Sequence, residues 1–350
     1  MNNKGVIKLQ SSLLRIRGSY QYTVAATLLC LTLLGCSPAP SVLSPLHSLN
    51  ERISNTLGIQ PASLDYQPRP EQMPPVRSLK PSGNVSSMNF LTSLRLGHCK
   101  AGQLIAERNS SLGRLEDGLM RYQQDIRLLA ALNQCAEHPQ SLQIKQELIA
   151  AVDAKAGQED YDLAVAVATD DALRNALSYG NNALRHVNEQ QFTTDLNALK
   201  QLANWLTQPS ETSELSVWRE QLAQSDYLGQ LYRSVVQMRL YLTQLEQHFP
   251  SLPAAAGCTT KGVPERATVL RNVFLSFFIE QLQPTLAQLT QQYQRLQPVF
   301  EQLQQRLPQP ELRQYLQQLS KQGDFLTDSS KSFVQPWQQL FKACEFTPGQ

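Results

Sequence analysis

The chain has 350 residues, of which 41% are hydrophobic, 17% charged and 7% aromatic, and its formal net charge is +2. That composition excludes a disordered tail, a collagen-like chain and a small disulfide knot. Glycine is scarce, at 16 residues, and Gln and Leu together supply roughly a quarter of the chain, which favours long helices over turn-rich sheet and predicts an all-α fold.

Residues 1–35 read as an export signal. Lys4, Lys8, Arg15 and Arg17 give a basic start, and the apolar run at 24–34 is too short for a comfortable membrane span. The run ends in Leu33-Leu34-Gly35-Cys36, which resembles the lipobox of bacterial lipoproteins. The resemblance implies cleavage before Cys36, diacylation of its sulfur and acylation of the new amino group. Ser37, in place of an aspartate, implies sorting to the outer membrane with the body facing the periplasm, a surface-facing orientation being the alternative. Cleavage removes four basic and no acidic residues, so the net charge moves from +2 to −2. Scattered Lys and Arg on a slightly acidic body give no footprint for nucleic acid. The expected attachments are a membrane, through acyl chains worth about 0.8 kcal/mol per buried CH₂, and an envelope protein partner.

A tether at 36–45 leads to a short amphipathic helix at 46–58, where Leu46, Leu49, Ile53 and Leu57 recur at helical spacing before Gly58. Residues 59–86 hold Pro61, Pro68, Pro70, Pro74, Pro75 and Pro81, a density that predicts an extended strap with no helix. A single helical domain should fill 87–350, an elongated bundle of long antiparallel helices. Helices are expected near 87–111, 115–136, 139–155, 159–189 and 193–207. One long helix is expected at 213–249, where Leu215, Trp218, Leu222, Leu228, Leu231, Val235, Met238, Leu242 and Leu245 form an apolar seam. Its antiparallel partner should carry the seam from Leu282 to Leu307, bent at Pro284 and Pro298, followed by helices near 310–322 and 328–345.

Four cysteines remain once Cys30 leaves with the signal and Cys36 is acylated: Cys99, Cys135, Cys258 and Cys344. In an oxidising compartment an even number predicts two disulfides with three possible connectivities. The helix plan favours Cys99 with Cys135 and Cys258 with Cys344. The rival is a metal site from His98, Cys99, Cys135 and His138; adjacent helical residues point about 100° apart, which argues against it. No metal, cofactor or catalytic residue is expected. Neither a His-Glu-x-x-His string, a phosphate-binding glycine loop nor a Gly-x-Ser-x-Gly elbow occurs. Carboxylate pairs for glycan chemistry exist at Glu159 with Asp160 and Asp162, at Asp170 with Asp171, and at Glu116 with Asp117, but each reads as a helix start or a solvated face.

One segment stands apart: residues 103–113 place Gln103, Glu107, Arg108 and Asn109 in a dense polar run between apolar stretches. This string resembles that of an uncharacterised domain-of-unknown-function family of bacterial lipoproteins of gammaproteobacterial type, with weaker echoes at Arg271-Asn272-Val273-Phe274 and Gln283-Pro284. The resemblance implies no activity, ligand or catalytic residue. Physically, Gln103, Glu107, Arg108 and Asn109 form either a buried ion-pair network pinning one helix to its neighbour or the lining of a polar pocket. The function expected is non-enzymatic binding or scaffolding in the cell envelope. Its alternatives are a wall hydrolase, with Glu107 as the acid, and a carrier of lipid or small molecules.

Overall fold

The computed structural model describes residues 41–82, 95–212, 214–258 and 262–346. The export signal, Cys36, most of the tether and residues 83–94 lie outside them. Among the described residues the chain is all-helical, a multi-helix fold.

Helix α1, Ser44–Leu57, starts with a proline in its first turn and stops at Gly58, whose φ of 70° lets its N–H turn back to the carbonyls of Ser54 and Asn55. Leu46, Leu49 and Ile53 share its buried face, which packs on residues 265–282. The strap that follows is extended except for one turn, α2, Val76–Leu79, a departure from the expectation. Pro74 and Pro75 precede that turn instead of interrupting it, where a missing N–H is tolerated. Having few internal backbone bonds, the strap is held by side chains of the body. Asn50 makes two hydrogen bonds to the backbone of Ala62, at 2.9 and 3.0 Å. Gln244 does the same to Asp65, at 2.9 and 2.8 Å. Arg174 donates to the Pro74 carbonyl, and Gln309 to that of Leu79.

A small lobe comes next. It contains α3, Lys100–Asn109; α4, Gly118–Ala136; a 3-10 turn, Pro139–Ile144; and α5, Lys145–Ala156. Of the helix expected at 87–111, residues 87–94 lie outside the described residues; within them residues 95–98 form a turn and the helix runs from Lys100. A disulfide joins Cys99, just before α3, to Cys135 in the last turn of α4, with Cα atoms 5.8 Å apart. The second joins Cys258 to Cys344, 5.1 Å apart at Cα. Both follow the neighbour pairing that the helix plan favours.

Two expected long helices are each broken by a buried carboxylate. Residues 159–189 form α6, Glu159–Thr169, and α7, Asp171–Leu177, then leave the helix. Asp170 sits at the break with no exposed surface, accepting from the N–H groups of Leu119 and Leu173 and from Arg219 Nε at 2.9, 2.8 and 2.6 Å. Residues 213–249 likewise divide into α9, Glu214–Gln224, and α10, Tyr227–His248. Here Ser225 donates to Asp195 at 2.5 Å, and Asn175 donates to the freed carbonyls of Leu222 and Ser225. Asp195 belongs to α8, Glu189–Thr207, which Asn188 caps by accepting from the N–H of Gln191.

After the short α11, Leu252–Ala256, come α12, Glu265–Val273, a π-helical segment, Phe274–Leu282, and α13, Gln283–Arg306. The wider π pitch ends two residues before Pro284, whose ring would crowd the carbonyl of residue 280 in a tight α-turn. Pro298 lies inside α13, and the helix runs through it. The last elements are α14, Pro310–Ser320, and α15, Gln322–Ala343, which starts six residues before the expected Asp328. The antiparallel pair of seams is also corrected, because α10 packs chiefly on α15 and only lightly on α13. Fourteen of its 22 residues are buried, so α10 is a central helix whose Tyr232 ring meets both Tyr293 and Phe300 of α13 at 6.0 Å.

Candidate binding groove

The polar run at 103–109 divides in the structure. Gln103, Glu107 and Asn109 are exposed, and Arg108 alone turns inward to pair with Asp125 of α4. Lys155 of α5 reaches the same carboxylate at 3.3 Å and Asp162 of α6 at 2.5 Å. The result is an alternating chain of charge, Arg108 to Asp125 to Lys155 to Asp162, that ties four consecutive helices together. Arg121 stands beside it, donating to the Gly113 carbonyl; burial, and then the Arg108 guanidinium, push its pKa below the ordinary arginine range. Each carboxylate in this chain faces a cation, so the arrangement is an ion-pair brace and offers no free acid or base.

In the other carboxylate pairs one member meets a cation and two meet neutral donors. Asp170 faces Arg219, Glu116 accepts from Gln124, and Glu159 accepts from the Tyr122 hydroxyl at 3.4 Å. Burial, followed by the charge of Glu159, pushes the Tyr122 phenol well up. The ligand atoms of His98, Cys99 and Cys135 lie within 4.8 Å of one another, because His98 and Cys99 sit in a turn where the helical 100° argument does not apply. Both sulfurs are nevertheless joined in the bridge, and neither is a thiolate. His98 Nε2 lies 2.8 Å from the Ser141 hydroxyl, and His138 Nδ1 accepts from the N–H of Gln140.

A concave surface opens instead between α13 and α15. At one end Gly323 lies so close to Tyr293 that a Cβ there would stand 2.8 Å from the ring. At the other, Phe278 of the π segment meets Phe333 at 5.4 Å, beside Phe274 and Trp337. Pinned at these two points, the helices leave a groove of about 550 Å³ between them. Phe278, Leu286, Ala287 and Val334 give it an apolar floor, while Gln283, Gln291, Gln294, Gln335 and Gln338 stand along its walls. Among the described residues Lys331 is the one charged residue lining it. Thr327 and Ser330 direct their hydroxyls to carbonyls of their own helix, so the free polar groups of the walls are chiefly neutral amides. The volume falls within the range of ligand and peptide sites. Sequence reading missed this groove, although the Gln-rich spacing of 283, 291 and 294 against 335 and 338 marks one face of each helix.

The chain matches, over residues 46–348, the family described as a protein of unknown function (DUF3080), and it belongs to that family. No curated protein and no solved structure matches it.

Proposed function

We propose that this member of the family is a lipid-anchored envelope protein that works by binding, taking an uncharged segment of another envelope component along the groove between α13 and α15. The lipobox-like run ending at Cys36 supports the anchor, and among the described residues no helix is long and apolar enough to cross a membrane. The groove carries the binding reading: an apolar floor between walls of side-chain amides suits a neutral partner, with shape and hydrogen bonds, not charge, setting the choice.

A photo-crosslinking residue at Gln291 or Gln338, with one at exposed Lys200 as a control, tests it in intact envelopes. The expected result is a shared adduct from the two groove positions, absent from the control and lost when Ala287→Arg fills the floor. The same pattern from all three positions would refute the reading. The groove's apolar floor also favours a carrier of lipid, and native mass spectrometry separates the two: copurified lipid that disappears in Ala287→Arg assigns the groove to a carrier.

A further inference from the structure

The strap does not lie flat on the body. Where its residues 68–71 cross the helices they enclose a cavity of about 130 Å³, lined by Pro68, Arg69 and Glu71 on the strap side and by Tyr179, Arg239 and Gln322 on the body. Two buried atoms of its lining, Arg239 Nε and Gln322 Oε1, have no hydrogen-bond partner among the described residues. Gln322 is only 7% exposed, and its amide nitrogen is already committed to the Gln318 carbonyl at 3.1 Å. Its oxygen is thus a buried acceptor without a donor. Leaving such a group unmet costs desolvation free energy.

The charge around this cavity is also one-sided. Arg69, Arg174, Arg233 and Arg239 gather along the strap, and none has a carboxylate within 4 Å among the described residues. Arg233 lies over the Tyr66 ring at 4.2 Å, with its Nε and the Tyr66 hydroxyl both unmet. Arg174 spends one nitrogen on the strap carbonyl of Pro74 and leaves Nη1 without a partner. Burial pushes Arg239 below the ordinary arginine range, opposed by the Tyr179 and Tyr66 phenols and by no carboxylate. Glu71 is the one carboxylate at the cavity, exposed on the strap and outside ion-pair distance of Arg69 and Arg239.

A guanidinium grips the oxygens of a phosphate or carboxylate, and an amide oxygen accepts a hydroxyl proton. We propose that this cavity binds a small oxyanion carrying an adjacent hydroxyl, such as a glycerol phosphate, with Arg239 and Arg69 on the oxyanion and Gln322 accepting from the hydroxyl. The volume is several times one water's share of the liquid, enough for such a group and too small for an acyl chain. The strap is then part of the site, contributing Arg69 and closing the cavity, while Glu71 competes with the ligand for the arginines. This site is separate from the groove and does not depend on it.

Isothermal titration of the full chain in detergent, with glycerol 3-phosphate, inorganic phosphate and neutral glycerol as probes, tests the assignment. Glycerol 3-phosphate should bind more tightly than phosphate, and glycerol should give no heat. Arg239→Gln should weaken both anions by roughly tenfold or more. Gln322→Leu should bring glycerol 3-phosphate down to the level of phosphate and leave phosphate unchanged. Glu71→Gln should tighten both. Should Arg239→Gln fail to fold, exposed Arg69→Gln keeps the test, with weaker anion binding expected at an unchanged melting temperature. Competition by phosphatidylglycerol vesicles assigns the oxyanion to a lipid headgroup, and none assigns it to a free metabolite. No heat from either anion at millimolar concentration, or wild-type binding in both Arg69→Gln and Gln322→Leu, would overturn the proposal.

Discussion

The lobe of α3, α4 and α5 and the bundle built around α10 solve the same packing problem with different material. The bundle buries Trp337, Tyr232, Tyr293, Tyr315, Phe192, Phe300 and Phe333 almost completely. The lobe has its own core of Leu96, Ala101, Leu104, Ala131, Leu132, Ala136, Ile144 and Leu148, with no aromatic ring, and leaves Leu112, Leu115 and Leu142 at least 75% exposed. Aromatic side chains each bury large areas, so the bundle's stability comes from packing. In the lobe, apolar area is short, and a disulfide with a chain of alternating charges takes over the role of holding helices in register.

That contrast makes the joint between the two regions the most sensitive point. Asp170→Ala removes the acceptor shared by α4, α7 and Arg219 and leaves the arginine unpaired, a loss of about 3–5 kcal/mol in urea unfolding. Replacing Cys99 and Cys135 by serine should cost about 2–5 kcal/mol and speed hydrogen exchange in α3 and α4 while leaving α10 protected. Uniform acceleration throughout would erase the distinction between the regions. Asp125→Asn, which weakens the charge brace only, should cost about 1–3 kcal/mol and make lobe stability less sensitive to salt.

The bundle's own buried charge sharpens the contrast through pH. Among the described residues Asp195 has no cation; burial raises its pKa, and hydrogen bonds from Ser225, Gln221 and Gln191 act against that rise. The folded state therefore holds the proton more tightly than the unfolded chain. Its contribution to stability is complete below the unfolded aspartate value of about 3.9 and is lost as pH rises through the folded value. Across that window the melting temperature of the native chain should lose ground to that of Asp195→Asn as pH rises, whatever slope the other carboxylates give to both. The smallest effect belongs to the lobe surface, where Glu107→Gln should change stability by less than about 0.5 kcal/mol.

Helical periodicity made the all-α class and the buried faces of α1, α10 and α13 readable, because burial on one side imposes steps of three and four. The breaks were harder. Asp170 and Ser225 lie inside otherwise continuous apolar patterns, and what stops each helix is a bond from a distant residue, Leu119 or Asp195. The step of six from Leu222 to Leu228 was the local trace of the second break. The ion-pair reading of residues 103–109 is met by Arg108 alone, since its partner Asp125 comes from the following helix and no spacing within the string identifies it. The strap cavity left no trace in sequence at all: Arg69, Arg239 and Gln322 are brought together by a crossing of segments far apart in the chain.

Helix α15 is fastened at both ends. Lys321 alone separates it from α14, with Gly323 pressed on Tyr293, and Cys344 just beyond its last turn is bonded to Cys258. Neither end can swing away by itself. The space between α13 and α15 is therefore closer to a buttonhole than to a jaw: its ends are held, and a segment laid in it would come from the open side.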